Sequence, residues 1–600
     1  MAEPIRIANC SGFYGDRLSA AAEMVEGGPI DVLTGDWLAE LTMLILARTR
    51  ERRPGGGYAR SFVRQMEQVM GACLDGGIKV VSNAGGLDPR GCAEAVAEVA
   101  DRLGLAPRIA CVDGDDLMPR LDPDGADTVT LHSFTTGKPM VDTDKLITAN
   151  AYLGGWGIAE ALRRGADIVV TGRVTDAAVA CGPAAWHHDW AIDDWDALAG
   201  AVAAGHVIEC GTQATGGNYS FFTEVDGMDR TGFPWAEIAA DGSSVIGKHD
   251  GTGGAVTVGT VTAQLLYEID APGYLGPDVT TRFDTIRLTQ AGPDRVLMDS
   301  VRGEPPPPTL KVATNELGGY RSEINVGLTG LDIDAKAALV HDAFWRACPH
   351  DPGDYAKVTE RVVRTDKADP ATNEEATAVW RLSVFDHHED RLGRTLSDAM
   401  NELALATIPG MFSPGSAARP RAFGIYRPAT VPAAVVPQYV TFLDGERTVV
   451  DPVPRTDEPV APIPPPAPPA GDRDWGPASP SPLGRMVGTR SGDKGGNANL
   501  GVFARSGDVF EWLDGFLSTD RLRELLPEAG PLLVDRHRLP NIWSLNFVIH
   551  GLLGDGVAAS DRPDPQAKSL GEWLRARVVD VPESLQRGSD HAPRDTKVSS

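Results

Sequence analysis

Short apolar runs alternate with helix-like stretches over the first 260 or so residues. Each run ends in a loop of Gly, Asp, Asn, Ser or Thr, and stretches such as 92–103 repeat apolar residues at helical spacing. The five clearest runs are 5–9, 30–33, 78–81, 109–112 and 168–170. Because β-branched runs separated by helices form βα units, we predict an α/β domain with a mostly parallel, Rossmann-like sheet over residues 1–280.

The pattern changes after about residue 280. Residues 284–288 alternate between polar and apolar, which is typical of a half-buried antiparallel strand. Residues 335–345 have helical spacing, and residues 379–384 are strand-like. We therefore predict an α+β region over 281–451 as the second part of the same core.

Proline marks the clearest boundary in the chain. Residues 452–482 are dense in proline and include the run Pro464–Pro466, which predicts an extended, semi-rigid linker. Residues 483–582 mix short strands and helices, which suits a small ferredoxin-like α+β domain. The polar stretch 583–600 is predicted to be a disordered tail.

Charge and cysteine content narrow the class of protein. The 600 residues carry a formal net charge of −27, which disfavours binding to nucleic acid or to an anionic membrane. The seven cysteines are widely spaced without a C-x-x-C pair, as expected of reduced thiols in a cytoplasm. We also expect no signal peptide, no membrane span and, for an enzyme this large, a homo-oligomer.

Glycine-rich loops follow the predicted parallel strands, and the carboxyl ends of such strands meet at one sheet edge. These loops carry the candidate side chains and glycines Ser11, Gly12, Asp16, Asp36, Asn83, Gly85, Gly86, Asp88, Asp115, Arg173 and Asp176. Arg173 is a candidate clamp for a carboxylate or phosphate, and Asp176 is a candidate orienting group or base. Asp36 is a further candidate catalytic residue. The alternative is structural: Gly and Asp are also turn and N-cap residues, and Arg173–Asp176 would be an ion pair.

Two more loops of the first region contain candidate catalytic or ligand-binding residues. Lys248 and His249 place an ammonium and an imidazole beside a glycine-rich turn, and His249 is a candidate general acid–base. Gly216, Gly217 and Asn218 suggest a backbone that approaches a ligand closely. The alternative for Lys248 and His249 is that their side chains do not face each other. The alternative for Gly216–Asn218 is a tight turn without a ligand.

Residues 488–499 of the small domain form a predicted loop that contains four glycines, two cations and two asparagines. Its Arg490, Asp493, Lys494 and Asn497 would form, with backbone amides, a local anion-binding site on an otherwise acidic protein. The alternative is a solvated hairpin loop.

Several cofactor signatures are absent from the sequence. There is no G-x-x-x-x-G-K-[ST] loop, and the loop after the first strand lacks G-x-G-x-x-G. We therefore predict no cofactor and no metal, with coenzyme A present only as part of a substrate.

Long stretches of the chain resemble the acyclic terpene utilisation (AtuA-like) family. They are residues 7–16, 33–40, 83–86, 171–176 and 274–279, together with 488–499, which resembles the ferredoxin-like domain appended in that family. The resemblance implies the breakdown of acyclic terpenes such as citronellol and geraniol through branched acyl-CoA thioesters, alongside a geranyl-CoA carboxylase. No catalytic residue is carried over from the resemblance.

The leading hypothesis is an enzyme of acyclic terpene or branched-chain acyl-CoA catabolism with hydratase, lyase or isomerase chemistry. Its base would be Asp176 or His249, with loop amides near Gly86 and Gly217 holding the oxyanion. One alternative is a non-catalytic accessory or scaffold of an acyl-CoA-processing complex, with a carboxylase or another pathway enzyme as partner. Another is a divalent-metal enzyme for a small hydroxy acid or sugar acid, using Asp36, Asp115 and Asp176.

Overall fold

The computed structural model describes residues 3–53, 55–122, 124–413, 419–458 and 473–586. Much of the predicted linker (459–472) and most of the predicted tail (587–600) lie outside these residues. Within the described parts of both segments, Ala478–Pro482 is a strand and Glu583–Gln586 is a short helix.

Five parallel strands form the centre of an 11-stranded sheet. In chain order they are Ile5–Asn9, Val32–Gly35, Lys79–Ser82, Ile109–Asp113 and Ile168–Thr171. In the sheet, the fifth strand lies between the third and the fourth. All five predicted strands are confirmed, and their carboxyl ends share one edge.

The strand residues alternate between two cores. Ile7, Val32 and Val81 pack with the helices of one face. Ala8 and Leu33 pack with those of the other face. Because helices cover both faces, the strands are apolar on both sides, as the sequence pattern indicates.

Six helices cover the central strands. Those on one face are Ala20–Gly27, Arg60–Gly76 and Pro89–Leu103. Those on the other face are Trp156–Arg163, Ala178–His188 and Trp195–Ile208. Helix Pro89–Leu103 shows how the sequence sets such bounds: the Asp88 side chain accepts from Gly91 N, proline occupies the first position, and left-handed Gly104 ends it.

The expectation of a mostly parallel sheet is wrong. Antiparallel strands extend both edges of the parallel centre, and the other sheets are mostly antiparallel as well. Pro234–Ile238, Ser244–Lys248, Arg295–Asp299 and Arg287–Gly292 extend one edge. Gln438–Phe442 and Arg447–Val450 extend the other. Their partners lie far away in sequence, so local hydrophobic periodicity gives neither the pairing nor its direction.

The described chain divides into two compact units. Unit 1 contains residues 1–315, 426–557 and 564–600, and unit 2 contains 316–425 and 558–563. Strand Thr309–Thr329 begins in unit 1, where residues 309–312 pair with Ala429–Pro432, and ends in unit 2. The remaining elements of the N-terminal part of unit 1 are Glu40–Arg52 and Val258–Leu265 (helices) and His132–Ser133, Leu146–Ala151, Gly273–Leu275, Thr280–Arg282 and Arg302–Glu304 (strands).

Unit 2 has its own core of antiparallel strands and helices. Strand Thr377–Asp386 pairs with residues 320–329 on one side and with Lys357–Val363 on the other. Helices Ile333–Ala347 and Arg394–Glu402 contribute to the same core. The two short strands are Met411–Phe412 and Arg421–Tyr426.

The C-terminal part of unit 1 is a small α+β domain. Its four-stranded antiparallel sheet has the order Val487–Lys494, Asn497–Ala504, Ser544–Ile549, Val534–Leu539. Helices Gly507–Phe516, Thr519–Leu525 and Leu570–Arg575 accompany it, and Ala478–Pro482 pairs with Val578–Pro582. The predicted loop 488–499 is instead the first hairpin of this sheet, with its turn at Gly495–Gly496.

Within the described residues, no helix has both the length and the apolar character needed to cross a membrane.

Candidate functional site

The loops after the second and third parallel strands meet at Asp36. The side-chain amide of Asn83 donates to Asp36 Oδ1, and Leu38 N donates to the same oxygen at 2.9 Å. Asn83 Oδ1 accepts a hydrogen bond from Trp37 N at 2.8 Å. Asp36 is therefore buried, with 5% of its surface exposed, and fixed in orientation.

Arg173, after the fifth strand, is the central cation of this edge. Its Nη2 lies 3.0 Å from Asp176 Oδ1, and its Nη1 donates to Leu38 O at 3.1 Å. The guanidinium lies 4.2 Å from the ring centroid of Tyr152. Arg173 is 2% exposed, and its Nε has no hydrogen-bond partner among the described residues. The structure thus brings the predicted residues Asp36, Asn83, Arg173 and Asp176 together and leaves the Nε–H of Arg173 unused within the described chain.

The Asp115 carboxylate holds the backbone of Arg173 in place. Its Oδ2 accepts the backbone N–H of Arg173 at 2.9 Å and the side-chain amide of Asn150 at 2.7 Å. Burial raises the pKa of Asp115 to about 7, although these hydrogen bonds oppose the shift. Burial and the nearby Asp176 carboxylate likewise raise the pKa of Asp36.

A second pair of titratable groups comes from the end of helix Trp195–Ile208. His206 Nδ1 lies 3.4 Å from Glu209 Oε1, and the ring packs against Tyr274 and Phe283. Burial lowers the pKa of His206 to about 4, so the ring is neutral at neutral pH. Burial, followed by the charges of Asp176 and Glu268, raises the pKa of Glu209. Glu209 Oε2 has no hydrogen-bond partner in the part of the chain that the structure describes.

A third carboxylate, Glu268, comes from the turn after helix Val258–Leu265. Burial, together with the charge of Asp176, raises the pKa of Glu268, while a hydrogen bond from Tyr267 opposes the shift. The backbone of Glu268 is left-handed, with φ +56°. Three carboxylates, Asp176, Glu209 and Glu268, are thus electrostatically coupled beside Arg173.

The C-terminal domain supplies the remaining polar side chains through its first hairpin. Arg490 lies 4.0 Å from the Tyr267 ring centroid and donates to Gln213 Oε1. Lys494 Nζ donates to Glu268 O at 2.8 Å. Burial, followed by Glu268 and Glu40, raises the pKa of Asp493.

The predicted anion site of this hairpin takes a different form in the structure. Both Arg490 and Lys494 are engaged by protein groups, and Asn497 Oδ1 accepts Gly551 N at 3.0 Å. The hairpin therefore closes over Glu268 and Tyr267, and its two cations face this cluster of the chain's own polar groups.

Lys248 and His249 have partners outside this cluster. Lys248 Nζ pairs with Asp294 at 3.0 Å and donates to Thr252 O at 2.8 Å. His249 Nε2 contacts Met24 O at 3.0 Å, and burial lowers the pKa of its ring. These contacts are those of a packed structural segment.

Most of the predicted glycine positions serve loop packing. Gly86 N, Gly216 N and Gly217 N all donate to carbonyls of their own turns. Asn218 has a left-handed φ of +57°. These three amides are therefore committed to turns, which argues against the predicted oxyanion role in this conformation.

Close approach of backbones explains Gly12 and Gly85. A Cβ at Gly12 would lie 2.5 Å from the Cys210 carbonyl carbon, and one at Gly85 would lie 2.5 Å from Thr171 O. Ser11, next to Gly12, accepts Asp36 N on its carbonyl at 2.9 Å. These residues hold the loops that carry Asp36, Arg173 and Glu209 in contact with one another.

Sequence reasoning missed more than half of the cluster. The residues that it did not propose for the site are Glu40, Tyr152, His206, Glu209, Tyr267, Glu268, Tyr274, Lys311 and Lys568. Lys311 Nζ lies 3.2 Å from Glu40 Oε1 and 4.9 Å from the Tyr152 ring centroid. Only Glu209 had a local signal, because it opens the glycine-rich stretch 209–218.

The described residues contain no group of three or more His, Cys, Asp or Glu side chains arranged to hold a metal ion. The hypothesis of a divalent-metal enzyme needs Asp36, Asp115 and Asp176 as ligands, and they do not form such a group. Asp36 and Asp115 instead accept hydrogen bonds from backbone N–H groups.

The fold and the site define an α/β protein with a charged cluster at the carboxyl edge of its parallel strands, completed by a C-terminal α+β domain. The chain belongs to the acyclic terpene utilisation family: the model of the acyclic terpene utilisation family protein AtuA matches residues 5–442. The AtuA ferredoxin-like domain matches residues 481–580. Both confirm the resemblance seen in the sequence. Comparison with curated proteins and with solved structures gave no match.

Proposed function

We propose that this chain is an enzyme that transfers protons on a branched or terpenoid acyl-CoA thioester, with hydratase, lyase or isomerase chemistry. The family is involved in acyclic terpene utilisation. The observation that carries the proposal is the contrast among coupled carboxyl groups. Burial favours the neutral form of Glu209 and Glu268, whereas Asp176 is ion-paired with Arg173.

Carboxyl groups in contrasting environments can act as acid and base in one site. In the proposed mechanism, Asp176 removes a proton from the carbon next to the thioester carbonyl or, in an α,β-unsaturated thioester, from the γ carbon, and the electron pair moves to the thioester oxygen. Glu209 or Glu268, held neutral, returns a proton to another carbon or to a leaving hydroxyl. The Nε–H of Arg173 is the unused donor for the oxygen on which negative charge develops.

The substrate's phosphates need a cation outside the buried cluster. Arg490 and Lys494 are engaged by protein groups, whereas Lys568 is exposed and acts electrostatically on both Glu268 and Asp493. We therefore assign the phosphate contact to Lys568 in this proposal. Coenzyme A then enters as part of the substrate, and no other cofactor is proposed.

Ligand binding is tested by thermal denaturation of the full chain with branched acyl-CoA thioesters, free CoA and the matching free acids. A ligand at about 100 times its dissociation constant stabilises the folded state by about 2.7 kcal/mol, which raises the melting temperature by a few degrees. We expect a rise with thioesters that is reduced in Lys568→Ala. Folded protein without a rise for any thioester would contradict the proposal and favour a non-catalytic accessory of an acyl-CoA-processing complex.

Proton transfer is tested by uptake of deuterium from D2O into 3-methylbut-2-enoyl-CoA, followed by mass spectrometry. Loss of a general acid–base group lowers such a rate by about 10²–10⁴-fold, so Glu209→Gln should reduce uptake by that factor. Glu224→Gln is the matched control, because the Glu224 carboxylate pairs with Arg505 of the C-terminal domain at 2.8 Å, an ion pair separate from the cluster's own contacts in the described chain. Equal rates in the two variants would remove Glu209 from the mechanism.

A further inference from the structure

The turn that carries Glu268 has a backbone conformation that its sequence does not favour. Glu268 has φ +56°, and a left-handed conformation is unfavourable for a residue with a side chain because its Cβ crowds the following carbonyl oxygen. Such a conformation persists only where surrounding contacts over-determine it, and it is concentrated at functional sites.

Those contacts come from the C-terminal domain. Asn499 Oδ1 accepts Glu268 N at 2.9 Å, and Lys494 Nζ donates to Glu268 O at 2.8 Å. Asn546 Nδ2 donates to Asp270 O at 2.7 Å and to Ile269 O at 3.2 Å. One domain therefore holds three consecutive residues of this segment, Glu268, Ile269 and Asp270.

The two asparagines also hold each other. The Asn499 side-chain amide donates to Asn546 Oδ1 from the neighbouring strand of the sheet. Both residues are 0% exposed. Because burying an amide without hydrogen-bond partners is costly, this satisfied pair fixes one position of the turn on the sheet.

We propose that Asn499 is a positioning residue for Glu268, acting with Lys494 and Asn546, so that the C-terminal domain completes the site. The inference rests on the proposed function, in which Glu268 is one of the proton-transferring carboxyl groups. It implies that the domain contact is part of the catalytic machinery as well as of the fold.

The full chain offers a matched pair of variants. Asn541 also donates from the C-terminal domain to backbone carbonyls, those of Phe283 and Ile286 at 2.9 and 2.8 Å, but not to the turn of Glu268. Asn499→Ala and Asn541→Ala each remove side-chain hydrogen bonds across the same domain contact. Comparison of the two separates positioning of Glu268 from docking of the domain.

The first measurement is amide hydrogen exchange, read by mass spectrometry on peptides that span residues 265–270. We expect exchange at least tenfold faster in Asn499→Ala and close to the wild-type rate in Asn541→Ala. Equal protection in the two variants would overturn the positioning role, whatever the reaction is.

The second measurement is deuterium uptake into 3-methylbut-2-enoyl-CoA. We expect Asn499→Ala to lower the rate at saturating thioester at least tenfold, towards that of Glu268→Gln, with half-saturation changed less than threefold. Asn541→Ala should retain the wild-type rate. No uptake by the wild-type chain would refute the proposed function alone, whereas loss in Glu268→Gln without loss in Asn499→Ala would refute this inference alone.

Discussion

Two buried charge clusters in unit 1 differ in how completely their polar atoms are satisfied. In the C-terminal domain, Asp514 is 2% exposed and accepts from both Arg536 and Arg538. Arg536 also donates to Leu517 O at 3.0 Å and to Asp514 O at 2.8 Å. This cluster uses its charges to tie a helix end to two positions of one strand.

The cluster at the sheet edge is different. In it, Arg173 Nε and Glu209 Oε2 are buried without hydrogen-bond partners in the described chain. Burial raises the pKa of several of its carboxyl groups, including Glu209. Leaving buried polar atoms without partners costs free energy. The satisfied cluster around Asp514 is therefore a structural ion network, whereas the cluster at the sheet edge is an arrangement suited to a ligand.

The largest expected effect is the loss of the structural network. Asp514→Ala leaves two guanidinium groups without their carboxylate, and breaking a buried pair costs about 3–5 kcal/mol of stability. Glu209→Gln removes a carboxyl group that burial disfavours, so the free energy of unfolding should fall by less than about 1 kcal/mol or rise. Guanidinium unfolding followed by tryptophan fluorescence measures both.

The control for Asp514 is Glu524, which forms an exposed ion pair with Arg521 at 2.6 Å. Glu524→Ala should cost less than about 1 kcal/mol. The comparison between the clusters fails if Glu209→Gln and Asp514→Ala destabilise the protein equally.

The pH dependence of stability gives an intermediate effect. The pKa of Asp115 is about 7 in the folded protein and about 3.9 when unfolded. Between these values the folded state binds more protons, so this group makes stability fall as pH rises, by up to about 1.4 kcal/mol per pH unit. Asp115→Asn removes that contribution, and its stability relative to wild type should rise from pH 4 to 7.

His206 provides a counter-check of opposite sign. The pKa of His206 is about 4 when folded, below its unfolded value of about 6.5, so the unfolded state binds more protons in between. The contribution of His206 to the free energy of unfolding therefore falls as the pH falls from 6.5 to 4. The variant His206→Gln should not show this decrease. Urea unfolding across this pH range tests both variants, and curves parallel to wild type would show that neither group titrates as described.

The smallest expected effect concerns backbone strain within the site. Glu268→Gly relieves a left-handed conformation, so stability should stay within about 1 kcal/mol of wild type or rise slightly, although deuterium uptake is lost. Asp189→Gly is the control, because Asp189 is also left-handed, with φ +51°, and caps helix Ala178–His188. It should change stability similarly and leave uptake intact; a loss of uptake there would point to a general effect of glycine.

The sequence predicted the parts of the fold that local pattern determines. The runs 5–9, 109–112 and 168–170 became strands within one or two residues, because continuous apolar runs ending in glycine-rich loops are locally encoded. Strand Gln438–Phe442 pairs with Ile109–Asp113 across more than 300 residues of chain. Nothing in its own alternation specifies that partner or the antiparallel direction.

The same distinction holds for the site. Asp36 and Arg173 were predicted to meet because parallel strands present their carboxyl ends at one edge. Glu268 could not be assigned in this way, because its place depends on Asn499 and Lys494, more than 200 residues later in the chain. His249 was chosen for its chemistry alone, and the fold gives it backbone contacts at Met24 instead.

Unit 2 is built from two segments that are far apart in the chain, 316–425 and 558–563, and this affects when it can fold during synthesis. Residues 558–563 belong to unit 2, where Arg361 donates to Asp561 O at 2.8 Å and Arg321 donates to Ser560 O at 3.0 Å. At about 5–20 residues per second, a ribosome needs roughly 7–28 s to reach residue 563 after residue 425. During synthesis, unit 2 therefore emerges without the segment that finishes it, and the turn of Glu268 waits still longer for Asn499 and Asn546. Both become complete only after residue 563 has been made, so a shorter nascent chain carries no finished site.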